Sequence, residues 1–191
     1  ILKYYCSNLR DFKYNEKLSI CWVIDIINNN LPRNKFLSQI WYFCKCENIE
    51  YNFPHTHNHC IFLPNIFVEG INISYHKHSK ISEMKNILNT LIHEKVHVFQ
   101  RSHKYLFEKL YKQWNFIKGN IIDPYNYKKN IRNNPDSYKY DYIFSYKGDY
   151  IMMNAIFNKD AQNIGDIDNL GIYLEKINNN NFITTNKKEK L

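Results

Sequence analysis

The stretch from Met84 to Arg101 constrains the fold most strongly, because its apolar residues recur with the period of a helix. Wound at about 100° per residue, it gathers its apolar side chains on one side. These are Met84, Ile87, Leu88, Leu91, Ile92, Val98 and Phe99. The polar side holds Asn86, Asn89, Thr90, His93, Glu94, His97, Gln100 and Arg101. The pattern predicts an amphipathic helix from about Ser82 to Arg101, with Leu88, Leu91, Ile92 and Phe99 in the core.

The polar side of this helix carries a His-Glu-x-x-His motif, formed by His93, Glu94 and His97. Residues four apart on a helix lie one above the other, so both imidazoles can reach one metal ion. Glu94 projects beside them, in position to take a proton from a water at the metal. The alternative is a solvated polar face that holds two histidines by chance, and the clean separation of the two sides favours metal binding. Lys95 falls on the apolar side, where we expect its stem to snorkel to solvent.

With this motif the chain resembles the zincin superfamily of metallopeptidases, in which the motif helix lies beneath a sheet. The longer run from His93 to Arg101, the aromatic-rich segment after it and the stretch at 132–136 resemble uncharacterised metallopeptidase-like proteins of large DNA viruses and some bacteria. That second resemblance covers roughly residues 50–145. It implies an α+β, zincin-like fold, in which a small antiparallel or mixed sheet packs on the motif helix and a second helix follows. It also implies one catalytic Zn²⁺.

The third metal ligand stays open at this point, since a catalytic zinc ion takes three protein ligands and a water. Asp136 follows a proline in a loop, where a stiff backbone can aim a short carboxylate, and we favour it. Its alternative role is a turn or helix-cap residue. Glu108 is the second candidate, if the chain folds back after the motif helix. His103 is the third, six positions after His97, although Gln100 stands where metzincins have the glycine that turns the chain.

In the rest of the chain, the period of the apolar residues predicts further strands and helices. Strands are expected at 59–64 and 71–76, with Gly70 at the turn, and a hairpin is expected at 140–146 and 150–157 around Lys147-Gly148. Helices are expected at 35–46, 104–117 and 170–177. The strand near Cys60–Leu63 should border the metal site and leave an edge for an extended peptide.

The length of 191 residues and the 44% hydrophobic content favour a folded protein with a substantial core. We expect one domain over residues 1–177 and a frayed, Asn- and Lys-rich tail over residues 178–191. The longest apolar stretches are too short to cross a bilayer, so no membrane association is expected. No signal peptide is visible, although the start at Ile1 is that of a trimmed chain.

The formal net charge of +8 favours anionic partners, nucleic acid among them. The lysines and arginines are scattered, with dense runs only at Lys128–Lys129 and Lys187–Lys190, so a basic solvated surface is favoured over a dedicated nucleic-acid groove. Five cysteines without disulfide-scaffold spacing suit a reducing, intracellular compartment, cytoplasmic or virion-associated. The oligomeric state is not predicted.

A second, structural zinc site is an alternative interpretation of one cysteine- and histidine-rich region. The residues concerned are Cys44, Cys46, Cys60, His55, His57 and His59. Buried thiols beside a polar strand are favoured, because the single residue between Cys44 and Cys46 is too short for the usual zinc knuckle.

These observations predict a zinc-dependent hydrolase, most simply a peptidase acting on peptide or protein substrates. A DNA-associated metalloprotease that acts on nucleic-acid-bound proteins is the first alternative, motivated by the charge and the 16 tyrosines. A catalytically inactive zincin-fold protein with a binding or structural role is the second, motivated by the open third ligand.

Overall fold

A computed structural model of the protein describes residues 6–32, 40–127, 142–157 and 167–190. The chain forms two compact units, Ile1–Ser102 and His103–Leu191. This differs from the predicted single domain over residues 1–177, because the residues after the motif helix build a core of their own. Among the described residues, no helix has the length and apolar character that a membrane crossing requires.

The first unit combines helices with one mixed sheet. Its described helices are α1 (Tyr14–Asn30), α2 (Asn65–His76) and α3 (Lys85–Ser102). Its described strands are β1 (Leu9–Arg10), β2 (Tyr42–Cys46), β3 (His55–His57) and β4 (Cys60–Pro64). The strand order is β1-β2-β4-β3, with β2 and β4 parallel and the two outer pairs antiparallel. The α+β class and the small mixed sheet agree with the prediction at this level.

The motif helix α3 is confirmed and begins within three residues of its predicted start. Its apolar side enters a core shared with α1, α2 and β4. Leu91 is fully buried and Leu88 nearly so, whereas Ile92 and Phe99 are only half-buried. Burial of this stripe, at about 1.5–3 kcal/mol per large apolar side chain, is what holds the helix in the fold.

Residues 71–76 form the second half of helix α2, so the strand predicted there is wrong. The run alternates like a strand, but Val68, Ile71 and Tyr75 also recur at helical spacing. Val68 and Ile71 are fully buried, and the Tyr75 ring packs edge-on against Trp22 of α1 at 5.5 Å. Packing against α1 therefore decided between two periods that the short run permits.

Two further predictions for the first unit need correction. Residues 42–46 form strand β2 rather than the end of a helix, paired in register with β4, and the residues 35–39 of that prediction lie outside the described residues. Strand β4 is confirmed, but it lies inside the sheet between β2 and β3. The outer strand at this end is β3, and α3 packs against both β3 and β4.

The second unit contains helix α4 (Lys104–Gln113) and a sheet. Its described strands are β5 (Phe116–Lys118), β6 (Asn120–Ile122), β7 (Tyr142–Tyr146), β8 (Asp149–Phe157), β9 (Ile167–Lys176) and β10 (Asn181–Lys190). The order is β5-β7-β8-β9-β10-β6. Because only Gly119 separates β5 from β6, the two ends of this sheet are one interrupted strand, and the sheet closes on itself.

Gly119 lies where the closure is tightest. A Cβ at this position would approach the Phe182 ring to 2.6 Å and Ile143 Cδ1 to 2.9 Å. Phe182 and Ile143 are fully buried in the core of the closed sheet, together with Ile172. Only a residue without a side chain lets the strand pass this close to the core.

The second unit corrects three predictions and confirms one. Helix α4 ends at Gln113, before the predicted 117, and β5 follows. The helix predicted at 170–177 is strand β9, because Ile172 and Leu174 alternate into the core with the period of a strand. The tail expected to fray from 178 instead forms β10, anchored by buried Phe182. The hairpin is confirmed, with Lys147-Gly148 at its turn.

Candidate metal centre

His93 and His97 converge on one point beside helix α3. Their Nε2 atoms lie 3.0 Å apart, and the two rings meet nearly at right angles, at 83°. Two imidazole ligands of a tetrahedral zinc ion, each at about 2.0–2.1 Å, place their nitrogens about 3.3 Å apart. The two Nε2 atoms would therefore have to move apart by only about 0.3 Å to share a zinc ion, and a small rotation of the rings can supply this movement.

Gln100 orients the second imidazole of the pair. The Nδ1 atom of His97 lies 3.2 Å from the side-chain oxygen of Gln100, one helical turn further along α3. With this oxygen as acceptor, Nδ1 carries the proton and Nε2 presents its lone pair. A hydrogen bond of this kind on the far nitrogen is the usual support of a metal-binding histidine. Gln100 therefore contacts the far nitrogen of a candidate ligand, and the spacing of the motif did not reveal this contact.

Glu94 is buried, with 3% of its surface exposed, although the helical pattern grouped it with the polar side. His93, its neighbour in the chain, is exposed, and His97 is half-buried. The histidine pair thus borders solvent while the carboxylate between them in sequence is enclosed by protein. An acid–base residue in a dry position exchanges its proton with the site rather than with bulk water.

The third ligand is not assembled in the described part of the chain, where no three His, Cys, Asp or Glu side chains are grouped for a metal ion. Asp136 lies outside the described residues. The carboxylate of Glu108 is paired with the ammonium group of Lys118 within the second unit. His103 is the first residue of that unit and directly precedes α4. Two candidate metal ligands, His93 and His97, are therefore brought together, and all three ligands remain predictions.

Lys95 lies in the middle of the motif and is fully buried. Its ammonium group donates a hydrogen bond to the Ile40 carbonyl at 2.9 Å and lies 4.8 Å from the centre of the Trp41 ring. Burial lowers the pKa of this group to about 8. The expected snorkelling to solvent is wrong, because a main-chain acceptor and an aromatic face replace water inside the protein. Lys95 thereby ties α3 to the segment before β2.

Arg101 links the end of α3 to the outer strand of the sheet. Its guanidinium donates to the carbonyl oxygens of Thr56, at 3.4 Å, and Asn58, at 3.2 Å. Both acceptors belong to β3 or the turn that follows it. The contact fixes β3 beside the motif helix. The sequence placed Arg101 on the polar side but carried no signal for this partner.

The cysteine- and histidine-rich region does not form a second metal site among the described residues. Burial, followed by the neighbouring Cys60 thiol, raises the pKa of Cys44 to about 11, and burial also raises the pKa of Cys46 to about 11. Without a metal ion, such thiols stay protonated at neutral pH. The buried His55 stacks on Phe62 with ring centres 5.1 Å apart. Of the three cysteines in this region, Cys46 is buried and Cys44 and Cys60 are half-buried, and a second zinc site stays an alternative interpretation.

No protein-family model, no curated protein and no solved structure matches the chain. The interpretation of the site therefore depends on the geometry of its own residues.

Proposed function

We propose that the protein is a zinc-dependent hydrolase that cleaves peptide bonds, with His93 and His97 as metal ligands and Glu94 as general base. The observation that carries the proposal is the 3.0 Å distance between the two Nε2 atoms. In the metal-free protein this contact is a hydrogen bond between the two imidazoles, and a shared zinc ion would replace it and accept a lone pair from both Nε2 atoms. The contact between His97 Nδ1 and the side-chain oxygen of Gln100 adds support, since the tautomer that donates this hydrogen bond has an unprotonated Nε2.

The proposed chemistry divides between the metal and the protein. Zinc, when bound, would lower the pKa of water at the site towards neutrality and polarise the carbonyl of the scissile bond. His93 and His97 would hold the ion through Nε2. Glu94 would accept the proton of the attacking water on its carboxylate and return it to the leaving amine. Its burial supports this role, because the proton stays within the site during the transfer.

The outer strand β3 supports a peptide as the substrate. An extended peptide can add to an exposed strand edge through main-chain hydrogen bonds. Strand β3 is the outer strand at its end of the sheet and packs against α3, which carries the histidines. Arg101 holds β3 in this position. A substrate bound there would lie along the motif helix.

Asp136 is the proposed third ligand, with Glu108 and His103 as alternatives. The carboxylate of Asp136 would complete a ligand set of two histidines and one acidic residue, which is common for catalytic zinc. Glu108 already forms an exposed ion pair with Lys118, and zinc binding by Glu108 would have to replace this pair at a small cost, because solvent screens exposed ion pairs.

The test combines metal analysis with one conservative substitution. Purified protein should contain about one zinc per chain. Glu94→Gln should retain this zinc and lose cleavage of a peptide library by about a hundredfold or more. Glu69→Gln, which changes an exposed glutamate of α2, is the matched control and should retain both. Loss of zinc in Glu94→Gln, or full activity in it, would overturn the assigned role.

A zinc-binding protein without catalysis is the second candidate. The convergence of His93 and His97 supports it equally, because that geometry concerns metal binding and not turnover. Stoichiometric zinc together with no turnover by the wild-type protein on broad peptide libraries would establish this alternative over the peptidase.

A further inference from the structure

The second unit contains a cavity of about 740 Å³ between α4 and the β5–β7 side of the closed sheet. This volume lies in the range of small-molecule and cofactor sites. The lining combines basic, acidic, aromatic, aliphatic and neutral polar side chains. Those that the argument uses are Lys112, Lys118, Glu108, Phe116, Tyr142 and Tyr150.

The cationic side of the cavity is built from Lys112 of α4 and Lys118 of β5. Lys118 lies 5.7 Å from the centre of the Tyr142 ring and is paired with Glu108. The hydrogen bond that Lys118 donates to the Glu108 carboxylate raises the pKa of Lys118, so its ammonium group remains charged at neutral pH. Outside the lining, Lys176 lies 5.9 Å from the ring of Tyr150. Within the lining, Lys112 and Lys118 outnumber the single carboxylate of Glu108, and this balance favours an anionic ligand.

The aromatic side of the cavity is preorganised. Tyr142 and Phe116 meet edge to face, with ring centres 6.3 Å apart, and Tyr111 of α4 supports Tyr142 at 5.2 Å. Tyr150 is held against the fully buried Phe182 at 5.1 Å. Burial raises the pKa of Tyr142, so its hydroxyl remains a hydrogen-bond donor. Rings fixed in this way offer flat faces to a planar ligand at little entropic cost.

We propose that this cavity binds a nucleotide, with a base against Tyr142 and Phe116 and its phosphate at Lys112 and Lys118. A ligand that is both planar and anionic satisfies the aromatic and cationic sides together, and stacking plus phosphate neutralisation is how single-stranded nucleic acid is held. Either a free nucleotide or a single strand supplies this chemistry. The site does not depend on the zinc chemistry proposed for the first unit.

The test measures fluorescence anisotropy of the full chain with a labelled oligothymidylate of about 12 nucleotides across a salt series. Lys112→Gln and Lys118→Gln should each weaken binding about tenfold at low salt and reduce the salt slope by about one. Tyr142→Leu should weaken binding about tenfold with an unchanged slope, because it removes stacking but no charge. Lys188→Gln, which removes one exposed lysine outside the cavity, is the control and should bind as the wild type does.

Competition with thymidine monophosphate separates the two sources of the ligand. Binding of the oligomer much tighter than that of the monophosphate identifies a single strand, and equal binding identifies a free nucleotide. The proposal is overturned if neither probe binds at about 50 mM salt, if Lys188→Gln weakens binding as much as the cavity variants, or if a duplex of the same sequence binds better than the single strand. Because the lysine variants change exposed groups, they keep the test valid if Tyr142→Leu fails to fold.

Discussion

Lys95, a side chain with no exposed surface, donates a hydrogen bond to the carbonyl oxygen of Ile40 at 2.9 Å. The contact begins within the His-Glu-x-x-His motif and ends just before strand β2, 55 residues earlier in the chain. A buried ammonium group is stable only with partners that replace its hydration. The geometry of the motif helix therefore depends on a residue that is neither a ligand nor a base.

Lys95→Ala should lower the free energy of unfolding by about 2–4 kcal/mol, since it leaves a cavity and removes the donor to Ile40. Lys95→Met should cost less, because it refills most of the volume. Urea denaturation measures both. Lys85→Ala, at the exposed start of the same helix, is the control and should stay within about 0.5 kcal/mol of the wild type. Equal stability of Lys95→Ala and the wild type would contradict the structural role.

Asp136→Asn should abolish stoichiometric zinc binding, as should His93→Ala and His97→Ala, because each removes one proposed ligand. Glu108→Gln and His103→Ala should keep the metal. Zinc content by elemental analysis after dialysis measures the outcome. His78→Ala, which changes a histidine outside the site, controls for non-specific loss. Retention of zinc in Asp136→Asn together with its loss in Glu108→Gln or His103→Ala would move the third ligand to that residue.

Acid sensitivity of the first unit should depend on Glu16. Its buried carboxylate accepts hydrogen bonds from Lys45 at 2.9 and 3.0 Å and from the Lys13 main chain at 2.8 Å. Burial alone would raise the pKa of Glu16, but these donors outweigh it and the pKa is lowered below the usual 4.5. A lowered native pKa stabilises the fold above the unfolded value, and this contribution is lost as pH falls below about 4.5.

Glu16→Gln should therefore destabilise the protein at pH 7 by about 3–5 kcal/mol, since Lys45 loses its partner while it stays buried. The same variant should show a flatter decline of stability below pH 4.5 than the wild type. Thermal unfolding across pH measures both effects. Asp25→Asn, an exposed change on the same helix, should leave the profile unaltered. An unchanged acid slope in Glu16→Gln would refute the linkage.

Arg101→Met should lower stability by about 1–2 kcal/mol, because the carbonyl oxygens of Thr56 and Asn58 lose a charged donor. If β3 binds substrate, the variant should also raise KM more than it lowers kcat. Steady-state kinetics with a cleaved peptide separates the two constants. Arg10→Met, which breaks the exposed pair with Glu47, should change stability by less than about 1 kcal/mol and leave KM unchanged.

Gly119→Ala should destabilise the second unit by about 1–3 kcal/mol, because its Cβ would press on Phe182 and Ile143 in the core. The matched change Gly70→Ala should stabilise the first unit by about 0.5–1 kcal/mol, since nothing lies within 4 Å of a Cβ there and the residue is helical. Thermal melts of the two variants measure the contrast. Phe182→Leu combined with Gly119→Ala should recover part of the loss if the clash is its cause.

The sequence alone determined the features that local periodicity dictates. Helix α3 was predicted because 18 residues carry one apolar stripe, and the hairpin around Lys147-Gly148 because its strands alternate around a turn. The placement of both histidines on one helical face followed from the same spacing. In segments with a long apolar stripe or a clear turn sequence, the local preferences all agree with the native structure. Their secondary structure can therefore be predicted without knowledge of distant contacts.

Tertiary structure decided the secondary structure of short segments whose apolar pattern fits both a helix and a strand. Residues 71–76 became helical through packing on α1, and 170–176 became a strand because the closed sheet supplied partners on both sides. The burial of Glu94 and the acceptor of Lys95 likewise depend on residues distant in the chain. An apolar alternation over six residues is compatible with both the helical and the strand period, so packing decides between them. A buried polar group needs a hydrogen-bond partner, and the spacing of the sequence does not identify it, because only folding brings distant residues into contact.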